Sequence, residues 1–411
     1  MTKSSRKHIP ELLAPEGDFS SLVTAVKAGC DAVYIGGKSF SMRGAPENFT
    51  PAGIRKASDF CHNHGVSLYV TVNTIIYDSE VSSMGRFLQC IAGCVDAVIC
   101  WDPSVISGCI EYRLPFHIST QASVSNSISA MYYKALGASR VVLARECTLK
   151  DITRIAKNVD IGLEVFAHGA MCVSESGRCF LSQDTYGKSG NRGECLQNCR
   201  RPYRVICQDG PGDYEVFPGD NHIFSAKDLC TLPFIDKLLA TGVSSLKIEG
   251  RNRPPEYVDT VIRAYRTAID AWRDNRLDDS LKARLIEDCR KVFNRDFSAG
   301  FYLGRPITDF STVENNAATQ RKSLVGKVIN YYPKSGVAHV SLLADKVNDG
   351  DEILIIGPTS GLVRTTLSGV RIEEPTADNE PATATFKVPE RVRPHDAVYK
   401  IIRKKTVSER N

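Results

Sequence analysis

The chain has 411 residues, 42% of them hydrophobic, and a formal net charge of +5. That length exceeds the roughly 250 to 300 residues one core supports, so two domains are expected, while the mild charge permits nucleic-acid contact without arguing for it. No apolar run of about eighteen residues is available to span a membrane, and the opening MTKSSRKHIPELLAPEG lacks an apolar h-region, which reads as a cytoplasmic protein whose fourteen cysteines favour metal or redox chemistry over disulfides.

Eight apolar runs bounded by Gly, Pro or Asp come in order: ELLAPEG, DAVYIGG, SLYVTVNTII, DAVICWDP, PFHISTQASV, RVVLARE, GLEVFAHG and, much later, SSLKIEG. Stretches with helical spacing lie between them, among them FSSLVTAVKAGC, PAGIRKASDFCHNHG, SISAMYYKALG and LKDITRIAKN. Strand and helix alternating eight times predict a (β/α)8 TIM-like barrel.

Side chains alternate along a strand, so each run sorts into a face toward the helices and a face toward the lumen. Tyr69, Thr71 and Asn73 share one parity, as do His117, Ser119 and Gln121, then Glu164, Phe166 and His168, then Lys247 and Glu249. Active sites of such barrels sit at the carboxyl ends of the strands. Asn73, Gln121, Glu146, His168, Glu249 and Arg251 are therefore the candidate catalytic or substrate-holding residues. Lys247 and Glu164, on neighbouring strands, can equally pair with each other as structure.

The last barrel helix is read over PPEYVDTVIRAYRTAIDAWRDN, and FNRDFSAGFYLGRP leads out of the barrel. Short strands then follow without long helices: VGKVINYY, GVAHVSLL, GDEILIIG, RTTLSGVRI, TATFKV and DAVYKI, which predict a small antiparallel β-barrel. The expected division is a barrel domain over 1–305, a linker over 306–320, the small β-barrel over 321–405 and a polar tail over 406–411.

Between the seventh and eighth strands the chain inserts about 75 residues, far more than an ordinary connection, with a cysteine-rich part over 169–232. Six residues separate Cys172 from Cys179, fifteen separate Cys179 from Cys195, and three separate Cys195 from Cys199; Cys230 follows in FSAKDLC. Four thiolates suit a structural zinc or an iron-sulfur cluster, and irregular spacing across a long insert leans to the cluster, with unligated thiols as the third option. Cys30, Cys61, Cys90, Cys94, Cys100, Cys109, Cys147 and Cys289 read instead as small core residues. Arg178, Arg192, Arg200 and Arg201 surround the cysteines, either as a phosphate-facing collar for RNA or as solvated charge offsetting thiolates. Neither H-E-x-x-H nor G-x-S-x-G occurs.

The blocks ELLAPEGDF, EVFAHGAMCVSESGRCFLS, NRGECLQNCRRPY, SAKDLC, SLKIEGR and GFYLG together resemble the collagenase-like peptidase family U32, and within it the branch concerned with tRNA hydroxylation. That resemblance implies a 4Fe-4S cluster held by Cys172, Cys179, Cys195 and Cys230, with Cys199 as the alternative fourth ligand. It also implies 5-hydroxyuridine formation at the tRNA wobble position, a small-molecule oxygen donor such as prephenate, and a paralogous partner chain in some relatives. Two other readings stay open: a collagenase-like peptidase using a metal or cysteine, and a non-catalytic RNA-binding or assembly factor.

Overall fold

A computed structural model describes residues 7–44, 47–208, 212–215, 222–304, 306, 309–311, 313, 316–375 and 381–404. Its first layer is set by eight short strands: β1 (Glu11–Pro15), β2 (Ala32–Gly36), β3 (Ser67–Thr71), β4 (Ala97–Cys100), β5 (Phe116–Ile118), β6 (Arg140–Val142), β7 (Gly162–Gly169) and β8 (Ser245–Ile248). Each pairs in parallel with the next in sequence, and β8 pairs with both β7 and β1, which closes the barrel. The expected eight-stranded parallel barrel is present.

Local chemistry starts and stops the helices that cover it. Asp18 accepts from the Ser21 amide at 2.7 Å to open α1 (Phe19–Ala28), and Gly29, at φ 93°, ends it in the left-handed region. Thr50 caps α2 (Pro51–Asn63), and a reciprocal Thr148–Asp151 box opens the helix Leu149–Asn158. Leu22, Ile54, Leu68, Val70, Ile118 and Leu246 are buried between strands and helices. Of the cysteines read as core, six are buried, Cys94 is half-buried and Cys90 is exposed.

The lumen is filled rather than open. Leu13, Ala32, Tyr34, Tyr69, Ala97 and Ile99 pack there as a separate cluster, which confirms the alternation read for the third strand. Toward the amino ends of the strands, Arg140 donates to Glu11 at 2.6 Å and to Glu164 at 3.2 Å, and Lys247 donates to Glu164 at 2.9 Å. The structural pairing of Lys247 with Glu164 is thus what the barrel adopts.

Beyond the barrel, seven antiparallel strands form one sheet: β9 (Gln320–Tyr332), β10 (Val337–Leu342), β11 (Glu352–Gly357), β12 (Gly361–Thr366), β13 (Arg371–Glu373), β14 (Thr383–Lys387) and β15 (Ala397–Arg403), in the order β12-β11-β15-β9-β10-β14-β13. The antiparallel C-terminal unit is as expected, although among the described residues no ladder joins its edge strands β12 and β13. Its sheet rests on α1 through Lys27, which reaches Glu390 at 2.5 Å and the Ser360 carbonyl at 2.8 Å. The described part of the expected linker is tied down, Ala226 bridging Phe310 and Ala317 donating to the Asn294 carbonyl at 2.8 Å. The polar tail 406–411 lies outside the described residues. No helix among the described residues is long and apolar enough to cross a membrane.

Candidate functional site

At the carboxyl ends of the strands a cavity of about 160 Å³ opens between the barrel and the insert. Tyr34, Ile99, Phe166 and Lys247 form its floor from the lumen side. Arg43, Asn73, Gln121, Arg145, Glu249 and Arg251 form its wall, and Met171, Cys172, Cys179, Cys195 and Cys199 face it from the insert.

Three arginines pin the insert in place. Arg192 grips Glu80 with both ends of its guanidinium, at 2.8 and 2.6 Å, and donates to the Ile75 carbonyl at 2.6 Å. Hydrogen bonding to Arg192 holds the Glu80 carboxyl down at about 2. Arg178 donates to the Gln121 carbonyl at 2.7 Å and lies over the Trp101 ring; Arg200 donates to the carbonyls of Ala226, at 2.6 Å, and Met171. The four arginines expected as an RNA collar, Arg178, Arg192, Arg200 and Arg201, all donate to the protein itself. Arg178 and Arg201 are nonetheless exposed, Arg201 bonded to the Tyr186 hydroxyl and stacked on its ring. Close approach completes the docking: the carbonyl of Gly193, at φ 92°, accepts from the Gly44 amide at 2.9 Å, and a β-carbon there would meet the Ser41 carbonyl at 2.5 Å.

Of the candidate rim residues, four gather at the cavity. Arg251, 4% exposed, donates to Ser41 at 2.7 Å and Thr71 at 3.2 Å, and also to Asn48. Burial brings its guanidinium down to about 10. Glycine at 36 is required for this, because a β-carbon would sit 1.9 Å from the Arg251 nitrogen. Glu249 accepts from Arg43 at 3.1 Å and lies 3.3 Å from the Tyr34 hydroxyl. Burial alone would raise its carboxyl, but Arg43 and Arg145 pull it below the ordinary value. Asn73 takes the Met42 amide at 3.1 Å on its side chain, and its carbonyl accepts from Trp101 at 3.0 Å and Gln121 at 3.1 Å.

The other two rim residues lie elsewhere. A register shift between Lys247 and Ile248 against β7 turns His168 out of the lumen, so that it is buried against Tyr257, Tyr265 and Phe297. Burial there depresses its imidazole to about 3, leaving it neutral. Glu146 is exposed, because a turn after β6, with Cys147 bonded back to Ala144, breaks the alternation that was extrapolated to it. Its neighbour Arg145 points into the cavity instead and was missed. Arg145 lies 3.7 Å over the Phe166 ring, donates only to the Met171 sulfur at 3.0 Å, and has an unpartnered Nε. Burial lowers its guanidinium.

Among the cysteines, Cys172, Cys179, Cys195 and Cys199 line the one cavity. Burial, and then the charges of Cys172, Cys195 and Cys179 against that of Arg200, push the Cys199 thiol up, so the four sense one another. Cys230 is corrected: it pairs with His168 across an antiparallel ladder, is 2% exposed, and its thiol, pushed up to about 11 by burial, meets Tyr265 rather than the cavity. Among the described residues no three His, Cys, Asp or Glu side chains converge closely enough to hold a metal ion. The donor set nevertheless fits a thiophilic group, with four thiols carried by one insert onto one cavity.

A closed parallel barrel with a cationic cavity at its carboxyl end, roofed by a four-thiol insert, defines a barrel protein whose site is built on its strand-to-helix connections. The chain belongs to Peptidase family U32, whose model matches residues 17–311. It is 36% identical to a protein named collagenase from Porphyromonas gingivalis, over 95% of this chain and 97% of that one. It is 38% identical to an uncharacterized protease of Methanocaldococcus jannaschii, over 88% and 90%. Identity is 34% with the tRNA hydroxylation protein P1 of Bacillus subtilis, over 85% and 84%.

Proposed function

We propose that this chain is an enzyme of RNA hydroxylation, installing 5-hydroxyuridine at the wobble position of tRNA, with its four-thiol insert holding a 4Fe-4S cluster. The observation that supports this reading is that Cys172, Cys179, Cys195 and Cys199 all line a cavity that also holds Arg43, Arg145, Lys247 and Arg251, with Glu249 the one carboxylate among its described lining residues. Likeness to the Bacillus subtilis relative supplies the RNA substrate. A cluster held by Cys172, Cys179, Cys195 and Cys199 would supply electron transfer or Lewis acidity at the mouth. The chain's own residues do the rest: Arg145 and Arg251 bind the carboxylate of a small oxygen donor such as prephenate, Asn73 and Gln121 orient the base, and the insert excludes water. A uridine must be unstacked to enter such a mouth.

The collagenase reading lacks a base for a cysteine nucleophile, since among the described residues no histidine lines the cavity and His168 faces the helices. Two measurements test the proposal. Anaerobically purified protein should show absorbance near 400 nm with matched iron and sulfide, and Cys172→Ser should lose both. Nucleosides from tRNA of a deletion strain, resolved by mass spectrometry, should lose 5-hydroxyuridine derivatives; an unchanged profile with every paralogue also deleted rejects the substrate.

A further inference from the structure

Close to Cys199 lies a charged group that the hydroxylation reading does not use. Asp228, 2% exposed, sits among three guanidiniums, those of Arg295, Arg253 and Arg200. Arg295 is 5% exposed and approaches Asp228 at 3.6 Å, too far for a hydrogen bond, while its Nη2 donates to Gln197 at 3.1 Å. Arg253 and Arg295 both lie against the Phe293 ring, 3.5 and 4.9 Å from its centre.

Three guanidiniums against one carboxylate leave about two positive charges beside the insert, and among the described residues neither Nε nor Nη1 of Arg295 has a hydrogen-bond partner. Buried donors without partners are costly, so the arrangement calls for an anion close by. Burial, then Arg200, brings the Arg295 guanidinium down to about 10, while Asp228 and Cys199 work the other way. The neighbouring carboxylates are already engaged, Glu249 by Arg43 and Asp309 by Lys227. What remains is the thiol set: Gln197, which receives Arg295, and Arg200 both line the cavity beside Cys199.

We infer that Arg200, Arg253 and Arg295 are the counter-charge of the four insert thiolates and set the reduction potential of the iron-sulfur group they hold. The inference rests on the cluster reading above. A 4Fe-4S core on four thiolates carries about two negative charges, which the arginine group matches, and adding one electron makes the anion larger. Positive charge nearby therefore favours the reduced form. These arginines are positioning residues: Arg295 acts through Gln197, and Arg200 through the Met171 and Ala226 carbonyls.

The test uses the full chain, reconstituted anaerobically with iron and sulfide, then titrated with dithionite and followed by visible absorbance and electron paramagnetic resonance. Arg295→Met should move the midpoint to more negative potential, Arg295→Lys should hold it near the wild-type value, and Asp228→Asn should move it to more positive potential. Opposite shifts from the two charge removals separate counter-charge from scaffolding, which would move both the same way or neither. Where Arg295→Met fails to fold, the positive shift of Asp228→Asn carries the test alone. Wild-type protein that takes up no iron and sulfide rejects the cluster reading and this inference with it. A loaded wild-type protein whose midpoint is the same in Asp228→Asn and Arg295→Met rejects the inference and leaves the cluster reading standing.

Discussion

Arg145 is half-buried, its guanidinium in contact with a ring face and a thioether; Glu249 acts on it through space, but among the described residues no carboxylate is hydrogen-bonded to it. A charge so placed is costly until an anion enters, and the entry of one converts that cost into affinity. Arg145→Leu keeps the packing on Phe166 and removes the charge. Its expected result is a loss of about tenfold to a hundredfold in affinity for a carboxylate donor, the worth of one charge-assisted hydrogen bond, with the iron and sulfide content unchanged. Calorimetric titration with prephenate reads it, and an equal affinity in the variant removes Arg145 from the donor site. Arg251 behaves differently, because Ser41, Thr71 and Asn48 already receive its donors; its replacement should cost stability before it costs binding.

The insert is held to the barrel at few points, and the Arg192–Glu80 fork is the strongest of them in geometry. Glu80→Gln removes the charge and half of the fork, so the half-buried Cys179 and Cys199 should become more accessible. Faster alkylation of Cys179 and Cys199 and faster amide exchange over 178–200, with β1–β8 unchanged, is the expected outcome; identical exchange in the variant would assign the docking to Arg178 and Arg200 instead. This also explains what was legible in the sequence. Strand parity found the barrel, the lumen pairing of Lys247 with Glu164, and Asn73, Gln121, Glu249 and Arg251, because alternation holds within a strand. It failed for His168 and Glu146, where a bulge and a turn shift the phase by one residue. Spacing alone could not separate Cys199 from Cys230, since what sets Cys230 apart from the cavity is its ladder with His168, a long-range pairing. The role of the arginines was not legible for another reason: a charge rich in donors is equally able to bind phosphate or to staple a loop, and the sequence does not show which carbonyls it meets.

At the scale of the whole molecule, the base of the barrel is a buried charge network spanning β1, β6, β7 and β8. Glu164, fully buried, receives Lys247 at 2.9 Å and Arg140 at 3.2 Å, and Arg140 also reaches Glu11 at 2.6 Å. Burial alone would raise the Glu164 carboxyl, yet Lys247 and Arg140 outweigh it and hold it at about 2, below its ordinary 4.5. A carboxyl depressed in the folded state lends stability that is complete above its unfolded value and is lost as pH falls toward the folded one. The window is therefore pH 4.5 down to 2 and the size on the order of 3 kcal/mol. Glu164→Gln strands the buried Lys247, while Arg140 keeps Glu11, and should destabilise by about 3–5 kcal/mol near neutral pH. In the same variant the difference from wild type should shrink as pH falls through that window, because the wild-type carboxyl is then losing its own contribution. Denaturant unfolding of both proteins between pH 7 and pH 3 reads this directly. A gap that stays constant with pH would mean that Glu164 is protonated in the folded barrel, and the closure of β7 on β8 would then rest on packing and the parallel ladder alone.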